Sequence, residues 1–247
     1  MTSEQVSAIG AAFAGGLRRI LGDKLVAAYI YGAAAFPDTS TTGDVDFHVI
    51  LQSELTEQER AELEELHQTL ARQFPPLGAE MDGYYILLAD ARREAPPQSQ
   101  MWARARDTAW ALHRQHIRAG RYIRLHGPDP REIYPAARWS EIEIALQGEL
   151  DYVERHLQDY PDYCILNLCR LVYSFRTQDV VVSKAAAADW ASEELPQWRR
   201  HIEVAKKSYA GQATLDEKAF MLAEVERFFA FARALIEASS QRWRHEG

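Results

Sequence analysis

The first half of the chain switches between helical and strand spacing of its apolar residues. Helical spacing from Glu4 to Leu21 and from Thr56 to Phe74 predicts two helices, the second opened by a Thr-Glu-Gln-Glu capping box. The same spacing returns from Trp102 to Ala119 and predicts a third. Between these segments lie stretches rich in β-branched and aromatic residues, each predicted to form a strand, at 25–31, 45–51 and 80–88.

The second half of the chain keeps helical spacing almost throughout. Strand signals nearly vanish after the segment HGPDPREIYP, and helices are predicted at 142–157, 163–176, 185–191, 197–209 and 215–238. The pattern therefore predicts the α+β class, with two domains. Residues 1–136 would form a mixed sheet with flanking helices, and residues 137–247 an all-helical C-terminal domain.

Composition and charge restrict the possible functions more than they restrict the possible folds. Apolar residues make up 47% of the 247 residues, enough to fill a core, and the net charge of −8 disfavours a nucleic-acid partner and favours a cationic ligand. The sequence shows no signal segment and no apolar run of the ~18 to 20 residues that span a membrane. We therefore expect a cytoplasmic protein without a membrane partner. Cys164 and Cys169 lack CxxC spacing, which predicts unbridged thiols.

Two aspartates, Asp44 and Asp46, interrupt an otherwise apolar strand pattern. Alternate residues of a strand project from one face, so the two carboxylates would lie close enough to share a cation. A solvent-facing edge strand is the simpler alternative. However, Gly32 precedes the pair, and its lack of a side chain would let a phosphate approach the backbone. A second acidic pair, Glu80 and Asp82, opens the next strand. Such an oxygen-rich cluster indicates Mg²⁺.

Two sets of motifs resemble a known family. The stretch from Tyr31 to Asp46, a Gly-small turn followed by Asp-x-Asp, resembles the Gly-Ser-x(n)-Asp-x-Asp signature of the polymerase-β-like nucleotidyltransferases. GPDPREIYP, LNLCRLVYSFRTQDVVVSKAAAADWASEELP and AKKSYAG resemble the helical domain of aminoglycoside adenylyltransferases of the streptomycin and spectinomycin type. The resemblance implies a polymerase-β-like N-terminal fold. It also implies Mg²⁺-dependent transfer of AMP from ATP to a hydroxyl of a small polycationic acceptor.

The resemblance assigns roles to the carboxylates. Asp44 and Asp46 match the family's metal-binding aspartates. Asp82 or Glu80 falls where the third carboxylate, the catalytic base, is expected. We favour Asp82, because it aligns without a gap relative to the strand that follows.

The resemblance also assigns contacts to the nucleotide. Lys184 and Tyr209, both in the predicted helical domain, match residues that contact the triphosphate. Gly32, Ala33 and Gly43 occupy the turn and the position before the first aspartate, where the family usually has Gly-Ser and a second serine. Each missing hydroxyl removes a hydrogen bond to the nucleotide, which is expected to weaken its binding.

These departures support two alternatives. One is a catalytically weakened nucleotide-binding relative that acts as a binding or regulatory module. The other keeps catalysis but uses a non-drug acceptor, since Asp151 and Tyr160 do not match the family's aromatic and acidic drug contacts.

Several residues outside these motifs have plainer interpretations. His48 continues the face of Asp46 and is interpreted as a polar residue at a strand end. His113 and Arg114 lie in a segment rich in His and Arg, interpreted as a solvated helix face rather than a phosphate contact. Trp110 is expected in a core or an interface.

Overall fold

A computed structural model describes residues 2–37, 44–102 and 105–246, with side chains up to residue 242. It divides into two compact units, Met1–Ala145 and Leu146–Gly247, here called the N-terminal and C-terminal units. This division falls inside a helix, so the domain boundary expected at residue 136 remains a prediction. In the described part of the chain, no helix has the length and apolar character needed to cross a membrane.

The N-terminal unit combines helices with a mixed sheet. Its elements are α1 (Ser3–Leu21), β1 (Leu25–Tyr31), β2 (Val45–Leu51), α2 (Glu57–Gln73), β3 (Met81–Leu87), α3 (Leu88–Ala91), α4 (Trp110–Arg118), β4 (Ile123–His126) and the start of α5 (Trp139–Arg155). The four strands lie in the order β3-β2-β1-β4. β1 is antiparallel to β2 and β4, whereas β2 and β3 are parallel. The predicted mixed sheet is confirmed.

Each face of the sheet packs against a different set of helices. Apolar residues of α1 and α2 bury the face that carries Phe47, Val49 and Leu51. The opposite face carries Tyr31 and Ile50 and packs against α4. Because side chains alternate along a strand, Asp46 and His48 of β2 belong to this second face. The second face is therefore the one that bears the candidate catalytic groups.

Two sequence predictions in this unit were wrong. The helix expected from Trp102 begins only at Trp110. It is preceded by a turn in which Oδ1 of Asp107 accepts a hydrogen bond from the Ala109 N–H at 3.1 Å. Strand β4 was missed, because it is short and pairs with a single neighbour. Trp110 is fully buried, as expected of a core residue.

The C-terminal unit is helical, as predicted. It contains the rest of α5, then α6 (Pro161–Thr177), α7 (Lys184–Glu194), α8 (Arg199–Tyr209) and α9 (Leu215–Glu246). Helix α6 packs against α7, α8 and α9, which explains why its residues are apolar on nearly every side. Cys164 and Cys169 of α6 are buried free thiols, and burial raises the pKa of each to about 12. They are therefore protonated and unreactive near neutral pH.

Candidate active site

The turn after β1 lies directly under the carboxylate of Asp46. The antiparallel register pairs Tyr31, the last residue of β1, with Asp46 on β2. Gly32 follows with a φ of +66° and opens a 3₁₀ turn that ends at Ala35. A Cβ atom at residue 32 would lie 1.7 Å from Oδ2 of Asp46. Both the backbone angle and the position of the carboxylate therefore require glycine here.

The second carboxylate comes from the neighbouring parallel strand. Asp46 of β2 and Asp82 of β3 are directly paired in register. Paired residues of adjacent strands lie about 4.8 Å apart and project from the same face, so the two side chains are neighbours. The strands are also pressed together, since a Cβ at Gly83 would lie 2.0 Å from the carbonyl oxygen of Phe47. The structure therefore brings Asp46 and Asp82 together.

The remaining predicted residues of this unit lie just outside the strands. Asp44 is exposed and precedes β2, so strand alternation applies to Asp46 but not to Asp44. Glu80 is exposed and precedes β3, and its carbonyl oxygen accepts a hydrogen bond from the Val45 N–H at 2.9 Å. Both acids thus lie at the strand ends next to the Asp46–Asp82 pair. Gly43 lies outside the described residues.

A buried hydrogen-bonded cluster lies on the same face of the sheet, two residues further along β2. Nδ1 of His113 is 2.9 Å from Oδ2 of Asp107, and Nε2 of His48 is 3.6 Å from the same oxygen. Nδ1 of His48 lies 3.3 Å from the Tyr134 hydroxyl. The Tyr31 hydroxyl lies 3.2 Å from Nδ1 of His113. This cluster connects β1, β2 and α4.

The cluster has strongly perturbed electrostatics. Burial raises the pKa of Tyr31 well above its usual value, and the charges of Asp46 and Asp107 add to the effect. Burial alone would raise the pKa of Asp107, but the facing His113 and His48 lower it to well below its usual range. Burial also lowers the pKa of His48. Asp107 is therefore a buried carboxylate that stays ionised.

Two interpretations of the sequence need correction. His48 is not a polar residue at a strand end, because it is fully buried inside the cluster. Arg114 does not belong to a solvated helix face, because its side chain is 0% exposed and forms an ion pair with Glu141 at 2.5 Å. The sequence was misleading at both positions because a polar or charged side chain in a strand or a helix more often faces water.

In the C-terminal unit, the structure brings Lys184 and Tyr209 together. Nζ of Lys184 lies 5.5 Å from the ring centre of Tyr209 and 4.3 Å from that of Tyr163. Tyr209 is the last residue of α8, and the preceding Ser208 donates a hydrogen bond to Asp162 of α6 at 2.7 Å. Three helices therefore position the lysine and its two aromatic neighbours.

Lys184 also occupies an unusual helix position. It is the first residue of α7, and Ser183 caps the helix by accepting a hydrogen bond from the Ala186 N–H at 3.0 Å. The N-terminal end of a helix carries a partial positive charge, so a lysine there adds to that charge, whereas an acidic residue would neutralise it. The arrangement concentrates positive charge at one point, which favours a bound anion.

Sequence reasoning missed Asp107, Tyr134 and Tyr163 as members of these clusters. Asp107 carries the one local signal, since an aspartate whose side chain accepts from the backbone N–H two residues later is typical of a turn. The contacts of Tyr134 and Tyr163 depend on tertiary packing and have no sequence signature.

Comparison with known proteins finds a similar fold and a matching C-terminal domain. The crystal structure of the spectinomycin adenyltransferase AAD(9) from Enterococcus faecialis, with ATP and spectinomycin, has a similar fold, with a TM-score of 0.75 at 17% identity. The match covers 96% of this chain and 100% of that one. Residues 136–234 match the family model for the C-terminal domain of aminoglycoside adenylyltransferases.

The chain therefore has the α+β fold of the nucleotidyltransferase class, with a helical C-terminal part. Within that class, residues 136–234 are similar to the C-terminal domain of the aminoglycoside adenylyltransferases.

Proposed function

We propose that the chain transfers AMP from Mg-ATP to a hydroxyl of a small polycationic acceptor, of the aminoglycoside class. The observation that carries the proposal is the in-register pairing of Asp46 with Asp82, directly beside the Gly32 turn. Two adjacent carboxylates supply the oxygen ligands that metal-assisted phosphoryl transfer needs, and the Gly32 turn places backbone beside them. The related AAD(9) was crystallised with ATP and spectinomycin, which supports both substrate classes.

The donor set fits magnesium. Asp44, Asp46 and Asp82 offer only carboxylate oxygens, and the last two are neighbours by register. Mg²⁺ prefers this chemistry and typically completes its octahedron with water and substrate phosphates. Asp44 and Asp46 would hold the ion, which when bound neutralises negative charge on the phosphates.

Asp82 is proposed as the general base, with Glu80 as the alternative. Asp82 is exposed, so it can reach the hydroxyl of an incoming acceptor. The acceptor oxygen forms a bond to the α-phosphorus while the bond to the bridging oxygen breaks, and pyrophosphate leaves with that electron pair. The acceptor proton passes to Asp82. Glu80 lies two residues earlier, outside the strand pair, and is the less favourable position.

The phosphates are proposed to contact the residues that the family motifs assign to the triphosphate. Gly32 and Ala33 would offer backbone near the triphosphate, with Gly43 before the first aspartate. Lys184 would supply the cation, and Tyr209 would lie beside it. The positive end of α7 next to Lys184 supports this role.

The acceptor is proposed to be cationic, because the chain carries a net charge of −8. On this proposal the protein is a cytoplasmic antibiotic-resistance enzyme. A non-drug acceptor is the second candidate, supported by the unmatched positions Asp151 and Tyr160. A binding module is the third, supported by alanine at position 33 in place of the usual serine.

The test is pyrophosphate release from Mg-ATP with a panel of aminoglycosides and aminocyclitols. We expect release that depends on one class of drug and falls by at least about 1,000-fold in Asp46→Asn, because the metal ligand is lost. Asp23→Asn, an exposed aspartate of the same unit, is the matched control and should keep full activity. Mg-dependent ATP binding without release for any acceptor would instead favour the binding module.

A further inference from the structure

The buried cluster of His48, Asp107 and His113 has the composition of a second metal site. The three residues come from β2, from the segment before α4 and from α4 itself. Their ligand atoms, Nε2 of His48, Oδ2 of Asp107 and Nδ1 of His113, all lie within 4.8 Å of one another. His48 and Asp107 have fully buried side chains, while that of His113 is 27% exposed.

The spacing of these atoms is close to that of a bound ion. A tetrahedral ion about 2.0 to 2.1 Å from each ligand places the ligand atoms about 3.3 Å apart. The observed distances to Oδ2 of Asp107 are 2.9 Å from His113 and 3.6 Å from His48. These two values lie on either side of the ideal, and the two histidine nitrogens lie within 4.8 Å of each other, so side-chain shifts would complete the geometry.

One ligand atom also lacks a hydrogen-bond partner. Nε2 of His48 is buried and, among the described residues, makes no hydrogen bond. This nitrogen faces Oδ2 of Asp107 at 3.6 Å, longer than a full hydrogen bond, so a ligand shared by the two atoms would satisfy both. A metal ion would take its lone pair.

The surrounding groups orient the ligands. The Tyr134 hydroxyl lies 3.3 Å from Nδ1 of His48, which would fix Nε2 as the ligating nitrogen. The Ala109 N–H occupies Oδ1 of Asp107, so Oδ2 is the oxygen directed at the histidines. The exposed edge of His113 provides an entry path. The Tyr31 hydroxyl lies 3.2 Å from Nδ1 of His113, beside this ligand atom.

We propose that His48, Asp107 and His113 bind a first-row transition metal ion, with Zn²⁺ as the best match to two imidazoles and one carboxylate. Imidazole nitrogen is a poor ligand for Mg²⁺, so this site differs in chemistry from the carboxylates of Asp44 and Asp46. The ion would fix β2 to α4, two residues along the strand from Asp46. Its role is therefore structural.

The proposal is tested with the chelator-stripped full-length chain, titrated with Co²⁺ in excess Mg²⁺. The Mg²⁺ saturates carboxylate sites, and Co²⁺ in a tetrahedral nitrogen-rich site absorbs visible light far more strongly than in an octahedral oxygen site. We expect one equivalent of strongly absorbing Co²⁺, displaced by one equivalent of Zn²⁺. Zn²⁺ alone should also raise the melting temperature.

Variants of the proposed ligands, compared with control variants, test which residues bind the ion. His113→Gln keeps a group that can donate to Asp107 but should weaken Co²⁺ binding by at least about 100-fold. His48→Gln should do the same, whereas His126→Gln and Asp46→Asn should leave binding unchanged. If the buried His48→Gln variant does not fold, the partly exposed His113→Gln still decides. Absence of the tetrahedral signal in the wild-type chain, or its retention in His113→Gln, would overturn the proposal.

Discussion

The carboxylate of Asp46 occupies the space that a side chain at Gly32 would need. The two residues are fixed by the pairing of β1 with β2, since Tyr31 is the register partner of Asp46. The position of a proposed metal ligand is thus coupled to the identity of a residue that has no functional group. This coupling makes Gly32 the most sensitive position of the turn.

Gly32→Ala is expected to lower kcat/KM by at least about 100-fold, because the new Cβ would displace the Asp46 carboxylate by an ångström or more. The Cβ would otherwise lie 1.7 Å from Oδ2, and the φ of +66° adds backbone strain. Steady-state pyrophosphate release measures the effect. Gly15→Ala is the control, since nothing lies within 4 Å of its Cβ. Equal activity of Gly32→Ala and wild type would contradict the geometry of the turn.

Gly83→Ala is expected to destabilise the protein by about 1 to 3 kcal/mol and to reduce activity, because it forces β3 away from β2. The added Cβ would lie 2.0 Å from the Phe47 carbonyl oxygen, beside the Asp46–Asp82 pair. Urea denaturation measures the free energy of unfolding. Gly148→Ala, with open space around its Cβ, should not destabilise. Unchanged stability in Gly83→Ala would show that the strands can separate without cost.

Local patterns predicted much of the fold and the carboxylates, because they are encoded within single elements. The bounds of β1 and β2 agree with the apolar runs at 25–31 and 45–51, since strand residues must be apolar to be buried on both faces. The proximity of Asp46 and Asp82 was inferred from the assumption that their strands are neighbours, and the parallel register confirms it.

The buried cluster could not be predicted in the same way. His48 and His113 are far apart in sequence, and only the folding of α4 onto the sheet brings them to Asp107. Strand β4 was missed for a related reason, because its sequence is Ile-Arg-Leu-His and its place is fixed by pairing with β1. Tertiary contacts override local preference at such positions.

Lys184→Met is expected to raise the KM for ATP by about 10-fold or more, because a charge-assisted contact to phosphate is worth about 1.5 to 3 kcal/mol. Methionine retains the apolar stem that packs near Tyr163 and Tyr209. Initial rates at varied ATP measure KM. Lys218→Met removes an exposed lysine of the same unit and should change nothing. A KM unaffected in Lys184→Met would exclude the lysine as a phosphate contact.

The stability of the protein is expected to fall in mild acid through His67. Burial lowers the pKa of His67 to about 4, below its unfolded value of about 6.5. The unfolded state therefore binds the proton first, and stability declines as the pH falls from about 6.5 to about 4, by at most about 3 kcal/mol from this residue. His67→Gln should flatten this part of the profile, measured by urea denaturation at pH 5 and pH 7. An unchanged difference between the two pH values would contradict the assignment.

Ala33→Ser is expected to improve nucleotide binding, because it restores the hydroxyl that the family's Gly-Ser turn supplies to the triphosphate. One neutral hydrogen bond is worth about 0.5 to 1.5 kcal/mol, so the KM for ATP should fall by about 2-fold to 12-fold. Ala35→Ser, at the end of the same 3₁₀ turn, is the matched control and should leave KM unchanged. If both variants behave like the wild type, the triphosphate does not contact this turn. If only Ala33→Ser improves binding, the turn contacts the triphosphate, and the affinity of the chain for ATP is limited by the missing hydroxyl.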